Sequence, residues 1–486
     1  MMKSCAGNGT AAGITATALL AAFLLFVGCG EEPPPPIVID GEVEDWSGLV
    51  PDQSARVVAQ QPDAALRYLE AVRDSGRLLL RFGLLEEQVL QRHNRLVLVL
   101  RAGTGSDTTR LLWRFGARNG TLETSGGTRP LLVSDLDLVT SPGFSDTTFE
   151  VSIRLPSHIM GVRFNHSDGL GVRLVHAGDG TALPARGYLN TPAMLEHQPL
   201  TPLSFEKPDS HAVRIAVWNV REDGLLKRPA PFRRILRALQ PDVLLLGEVF
   251  EMTAEQAADT LNLWVPGAHH QAHWRTVKHT DGSIVALRGE VERSQPIPDG
   301  TGDGFLIHLQ QWDEPLFLVH AWAACCDMDS LRQVHVDRIA AFVRDARDPS
   351  GPMQIRPTTP LVLAGDFNLV GWSRQYHSLK EGRIVRTDLL GEGAAPDGDG
   401  TALADAQPRH FSAPFTYAWR NDDSGFTPGR LEMLFYSDSR LEMINGFVLH
   451  DSLPDSLKEA FGLQKGDVRE ASDHMPLVVD LVVKGE

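Results

Sequence analysis

Short apolar runs in the second half of the chain stop, one after another, on a residue able to do chemistry. "VRIAVWN" ends on Asn219, "VLLLGE" on Glu248 and "PLFLVH" on His320. "LVLAGDFN" ends on Asp366 and Asn368, and "ASDHMPLVVDL" opens on Asp473 and His474. Glu432 sits inside a further run, "RLEMLFYS". Runs of this length, rich in Val and Leu, read as buried strands. Strands must end somewhere, so one polar terminus means nothing. Several ending in Asn, Glu, His or Asp constrain the fold, because strand ends on one sheet edge converge on a cleft. Residues two apart in an extended chain also share a face, which predicts that Asp366 and Asn368 look into one space.

Between these runs lie helical patterns. "APFRRILRALQ" is apolar at Phe232, Ile235, Leu236 and Leu239, with basic residues opposite. "TAEQAADTLNLW" opens on a capping signal, and "DSLRQVHVDRIAAFVRDA" predicts a long amphipathic helix. Alternating strands and helices over residues 206–486 predict an α/β domain with sheets stacked inside helices. Residues 37–205 differ: "RLLLRFGLL", "RLVLVLRAG", "TRLLWRFGA", "TFEVSIRLP" and "VRLVHAG" are spaced by Gly, Asp, Ser and Thr clusters. That spacing predicts an all-β sandwich. "AALRYLEAVR" reads as either helix or strand.

The polar set has chemical sense. Glu248, Asp473 and the amide oxygen of Asn219 are hard oxygen ligands suited to Mg²⁺, Mn²⁺ or Ca²⁺. Asp366 can take a proton from water, Asn368 can bond a developing oxyanion, and His320 and His474 can hold an anion. Together they form a kit for metal-assisted attack of water on a phosphate ester. Each also has a structural reading: an Asx turn for Asp366 and Asn368, a solvated strand end for Glu248, a core histidine for His320, a surface ion-pair partner for Glu432. His269, His270, His273, His279 and His335 read as solvated or structural, with His279 also a candidate substrate contact. Arg332 and Gln333 read as packing residues.

The order "WN", "GE", "H", "GDFN", "SDH" resembles the endonuclease/exonuclease/phosphatase superfamily over about residues 211 to 483. The resemblance implies a four-layer αββα sandwich and a Mg²⁺-dependent phosphodiesterase or phosphatase. It implies Glu248 as principal metal ligand, with Asn219 and Asp473 near the metal. It implies Asp366 on the nucleophilic water, Asn368 on the pentavalent state, and His320 and His474 on the phosphate. In the family an Asp usually orients the last histidine. Here Glu432 stands in that place, one methylene longer, which predicts a shifted strand or a folded-back side chain. Arg221 stands where some members have a second acid, and "GSIVALRGEV" lacks the family's usual Ser.

The first 29 residues read as a signal peptide, since the apolar stretch is short and lacks a stop-transfer flank. "LLFVGCG" resembles a bacterial lipobox, which implies lipid on Cys29 and a protein exported and anchored to the envelope, at the outer membrane or cell surface. "GEEPPPP" (30–36) reads as a stiff spacer. "IDGEVEDWSG" resembles the start of family 9-like carbohydrate-binding modules, which implies a glycan partner, although Trp46 reads as a core plug. Cys325 and Cys326 are adjacent, which allows a vicinal disulfide or two small buried thiols. A net charge of −16 argues against tight docking on duplex DNA. The expected substrates are nucleic acid, phospholipid head groups or small phosphodiesters. The competing expectation is a glycan-binding surface lipoprotein whose phosphatase-like scaffold is catalytically weakened, with Glu432 in its favour.

Overall fold

The computed structural model describes residues 36–485, apart from 42, 50–53, 75, 93, 105–107, 141–143, 192–203, 268–272, 352, 408, 411–414 and 420. The expected signal peptide, Cys29, most of the spacer, His269 and His270 lie outside the described residues.

The N-terminal part is built from two large antiparallel sheets, with a small two-stranded one of His158–Ile159 and Val162–Arg163. One runs Ala55–Val58, Leu66–Asp74, Arg77–Gln88, Asp146–Arg154, Val139–Thr140. The other runs Ala182–Leu183, Leu170–His176, Leu96–Ala102, Thr109–Arg114, Asn119–Thr124, Gly127–Leu132, with Leu189–Asn190 also on Leu170–His176. Alternate residues of both, such as Leu78, Leu80 and Phe82 against Leu98, Leu100 and Trp113, share one buried core. The ambiguous "AALRYLEAVR" falls in the Leu66–Asp74 strand, where Leu69 and Ala71 join that core. Pairing on both sides decides the matter against local helix propensity. Trp46 is a core plug, 2% exposed, its indole N–H donating to Glu150 Oε1 at 2.6 Å.

The C-terminal part carries two more sheets. The first runs Arg275–Lys278, Ile284–Leu287, Val243–Gly247, Val213–Asn219, Leu477–Val483, Leu441–Val448, Arg409–His410. The second runs Gly289–Pro296, Gly302–Leu309, Leu316–Trp322, Leu361–Asp366, Glu432–Tyr436, Ala404–Asp405. The predicted helices form at Pro229–Leu239, Ala254–Trp264 and Asp329–Ala346. Thr253 caps the second, its hydroxyl accepting from Gln256 N while Gln256 Oε1 accepts from Thr253 N.

Strand alternation in the second sheet aims the chemistry. Leu316, Leu318, Val362, Ala364 and Leu434 are buried in one cluster with the first sheet. Phe317, Val319, Leu361, Leu363, Met433 and Phe435 are buried in another, with Val336, Ile339 and Val343 of the Asp329–Ala346 helix. His320, Asp366 and Glu432 continue the first series by two residues each, so they face the first sheet. That sheet is stitched by a buried ion pair between its Val213–Asn219 and Leu477–Val483 strands. Arg214 Nε and Nη2 each donate to the Asp480 carboxylate at 2.7 Å. Arg214 Nη1 donates to the Phe205 and Leu239 carbonyls, so the buried charges are fully hydrogen-bonded.

Candidate active site

The Leu361–Asp366 strand ends on the carboxylate itself. Gly365 has φ 156°, and a Cβ there would lie 1.7 Å from Ala321 O, so no other residue fits this approach of two strands. Asn368 is outside the strand, with φ 52°. Its backbone N donates to Asp366 Oδ1 at 3.2 Å, and its side-chain Nδ2 donates to Ala323 O at 3.1 Å. The two residues are therefore neighbours through an Asx turn. The expected strand alternation does not extend to Asn368, because the chain turns left-handed there, a conformation Asn tolerates.

Across the cleft, Asn219 ends the Val213–Asn219 strand, in register with Gly247. Its Nδ2 donates to Glu248 Oε1 at 2.9 Å and to Asp366 Oδ2 at 3.0 Å, joining the two sheets through one amide. Glu248 has φ 59°, and Arg221, Glu222 and Asp223 form a left-handed run facing it. In that run Arg221 N donates to Asn219 Oδ1, Glu222 N to Glu248 Oε2 and Asp223 N to Glu248 O. Non-glycine residues held left-handed in succession store strain, and here it surrounds two predicted metal residues. Asp473 stands to one side, its Oδ1 3.9 Å from Arg221 Nε and its carbonyl accepting from Ala418 N.

His474 and Glu432 form a buried dyad, Nδ1 to Oε1 at 2.6 Å. The extra methylene does not misplace the carboxylate, so the predicted strand shift is not needed: Glu432 pairs with Asp366 in normal register. Its backbone N is held by Thr416 Oγ1 at 3.0 Å. Burial pushes the His474 imidazole down, but the Glu432 charge and hydrogen bond outweigh it and hold the group up at about 9. Asp366 is pushed up to about 6 by burial and by the Glu432 charge. His320 is pushed down to about 3, by burial and by His279, and is neutral at any ordinary pH.

Three residues beyond the expected set, Asp303, Tyr417 and Ser472, adjoin the site, together with the candidate His279. Asp303 lies opposite His320 in register and pairs with His279 Nδ1. The His279 ring stands edge-on to His320, centroids 6.2 Å apart. The Tyr417 ring lies 4.7 Å from that of His474, and Ser472 Oγ links Asn219 O to His474 N. The "SD" preceding His474 was the one local signal for Ser472; Asp303 and Tyr417 reach the site only through long-range pairing. Cys325 and Cys326 are exposed free thiols, Sγ atoms 2.6 Å apart, so the buried-thiol expectation fails: they fall on the segment leaving the Leu316–Trp322 strand, beyond the core.

A model of the Endonuclease/Exonuclease/phosphatase family matches residues 216–474, just over half of the 486-residue chain. The chain belongs to this family. No curated protein matches it. Among solved structures, the human Nocturnin catalytic domain is 14% identical, over 56% of this chain and 95% of that one, with a TM-score of 0.37. ANGEL2, described as a 2',3'-cyclic phosphatase, is 16% identical over 56% and 95%, with a TM-score of 0.38. An endonuclease/exonuclease/phosphatase family protein from Bacteroides thetaiotaomicron is 16% identical over 56% and 97%, with a TM-score of 0.35. Likeness at these scores carries no weight for activity.

Enzymes of the endonuclease/exonuclease/phosphatase family typically depend on a divalent cation, and the side chains here fit one. Glu248, Asp366 and Glu432 bring three carboxylates together against one imidazole. Glu432 Oε2 is buried without a hydrogen-bond partner. That surplus of negative charge calls for a hard cation. Donor atoms of Asp366, Glu432 and His474 lie within 4.8 Å of one another. His474 Nδ1 is engaged by Glu432, however, so Glu248, linked to Asp366 through Asn219, is the better oxygen donor.

Proposed function

We propose that this chain is a divalent-metal-dependent phosphoester hydrolase in which Asp366 activates water, built on a four-layer αββα sandwich. The observation that carries the reading is the single Asn219 amide holding both Glu248 and Asp366, beside an imidazole locked on Glu432. Glu248 would hold the cation, with Asn219 and Asp473 near it, which leaves Asp366 to the water. When bound, a divalent cation offsets phosphate charge and favours a water-derived nucleophile. Asp366, with its proton affinity raised toward neutrality, accepts the proton from water. His474 is charged at pH 7 and presents its imidazolium to the phosphate, oriented by Glu432. Asn368 offers its amide and neutral His320 a ring N–H to the same oxygens as charge builds.

The substrate class is a phosphodiester or phosphomonoester of nucleic acid, a phospholipid head group or a small metabolite. An exported, lipid-anchored protein is supported by the apolar leader ending at Cys29, and glycan binding by the N-terminal sandwich only by its opening sequence. The 2.6 Å contact between His474 and Glu432 supports a working site over a catalytically weakened scaffold. The test is hydrolysis of bis-p-nitrophenyl phosphate with Mg²⁺, Mn²⁺ or Ca²⁺. Turnover by the wild type and its loss in Asp366→Asn support the reading; an inert wild type with every cation, or an Asp366→Asn enzyme of equal rate, refutes it.

A further inference from the structure

Asn368 is braced from outside the C-terminal sheets. Its Nδ2 donates to Ala323 O, and Ala323 N donates to Asp366 O, both at 3.1 Å. The segment from Ala323 to Asp329 is then gripped by two arginines. Fully buried Arg332 donates to Ala324 O and Cys326 O at 2.7 Å and to Asp329 Oδ1 at 2.5 Å. Arg92 comes from the N-terminal sandwich, 237 residues away in sequence, and forks onto the same Asp329 carboxylate at 2.5 and 2.8 Å. It also shares Cys326 O, at 2.9 Å. A guanidinium fork fixes angle as well as distance.

The stretch after Asn368 is held from the same side. Ser145 N donates to Gly371 O, and Ser373 Oγ to Glu87 Oε1, both at 2.6 Å. Val72, Leu79 and Val139 of the N-terminal sheet are buried in the same cluster as the C-terminal sheets, so the contact is apolar as well as polar. A domain tethered only by its linker would leave these loops to their own hydrogen bonds.

We propose that the N-terminal β-sandwich is a working part of the catalytic centre, and that Arg92 is a positioning residue that sets Asn368 through the 323–329 segment. The inference rests on the hydrolase reading and goes beyond it, since it gives the sandwich a role that needs no glycan. The experiment is a double-mutant cycle on the full chain, with bis-p-nitrophenyl phosphate and Mg²⁺ and with thermal melts in parallel. Arg92→Ala is expected to lower kcat about ten-fold with KM little changed, because a displaced transition-state donor costs rate rather than substrate binding. Added to Asn368→Ala it is expected to lower kcat no further, because its target is already gone. Arg92→Lys, lacking the fork, is expected to recover little. Arg92→Gln, which keeps one hydrogen bond and the bulk, replaces Arg92→Ala if that variant does not fold. An Arg92 variant with wild-type kcat overturns the inference and leaves the hydrolase reading intact. So does a variant that still costs its full factor on Asn368→Ala. An inert wild type overturns both.

Discussion

Replacing Glu432 with the family's usual aspartate is expected to damage the enzyme. The strand around it is fixed: Glu432 pairs with Asp366, and Thr416 Oγ1 holds both Leu431 N and Glu432 N. Removing one methylene therefore draws the carboxylate back by about 1.5 Å, one C–C bond. The 2.6 Å contact with His474 then opens to about 4 Å, beyond hydrogen-bond range. Loss of a buried charge-assisted bond costs about 2 kcal/mol and the vacated methylene about 1 kcal/mol, so Glu432→Asp is expected to be about 3 kcal/mol less stable. His474 loses its orientation, and kcat is expected to fall by roughly 10²-fold. The pH behaviour gives an independent reading. The imidazole is held above its ordinary value of 6.5, so the dyad's stabilisation is full below about pH 6.5 and is lost as pH rises through about 9. The alkaline limb of kcat/KM should likewise fall near pH 9 in the wild type and move below 7 in the variant, where burial is no longer opposed. Urea unfolding at pH 6 and pH 9, with pH–rate profiles of both proteins, measures each effect. A Glu432→Asp enzyme as fast as the wild type, with its alkaline limb still near 9, would refute the reasoning.

Asp366→Asn should reduce kcat by about 10³-fold while raising stability at pH 8 by about 1 kcal/mol in urea melts. The stabilisation follows because a carboxyl held up near 6 is disfavoured as an anion in the fold above that pH. Asn219→Ala removes the donor shared by Glu248 and Asp366, so the Mg²⁺ concentration for half-maximal rate should rise about ten-fold and the acid limb should move upward. Gly365→Ala places a methyl 1.7 Å from Ala321 O and should cost more than about 3 kcal/mol, read as loss of soluble protein or a sharply lower melting temperature. EDTA should abolish turnover, and added Mg²⁺ or Mn²⁺ should restore it; activity untouched by chelation would remove the cation from the mechanism.

The elements that local patterning specifies were legible in the sequence. The helix opened by Thr253 begins where its capping box says, and the Val213–Asn219 and Leu361–Asp366 strands end where the apolar runs end. Asn219, Glu248, Asp366 and His474 could be picked out because each sits at or near a strand terminus, and strand termini are written in the local sequence, whereas Glu432, read inside a run, was picked out only by family resemblance and opens its strand in the structure. What joins them was not. The Asx turn replaces alternation at Asn368 because a single left-handed residue breaks the two-residue period, and Asn gives no local warning beyond its tolerance of that geometry. Asp303 acquires its place beside His279 and His320 only from sheet register. Arg92 looks like any loop arginine until a partner 237 residues away is brought to it. At Cys325 and Cys326 the sequence allowed a vicinal disulfide or two buried thiols, and both thiols are free and exposed because the chain has already left the sheet.

The position of the Leu477–Val483 strand bears on how this protein is made. It lies between Val213–Asn219 and Leu441–Val448, in the interior of its sheet, and Asp480 closes on Arg214 across 266 residues. A ribosome delivers that strand after every other described strand. Until it emerges, Arg214 is a buried-type charge without its counterion, the first sheet has a gap in its interior, and His474 is not yet present to meet Glu432. The growing chain is thus without the centre proposed for catalysis until this strand is delivered, and the step that completes the sheet also completes that centre.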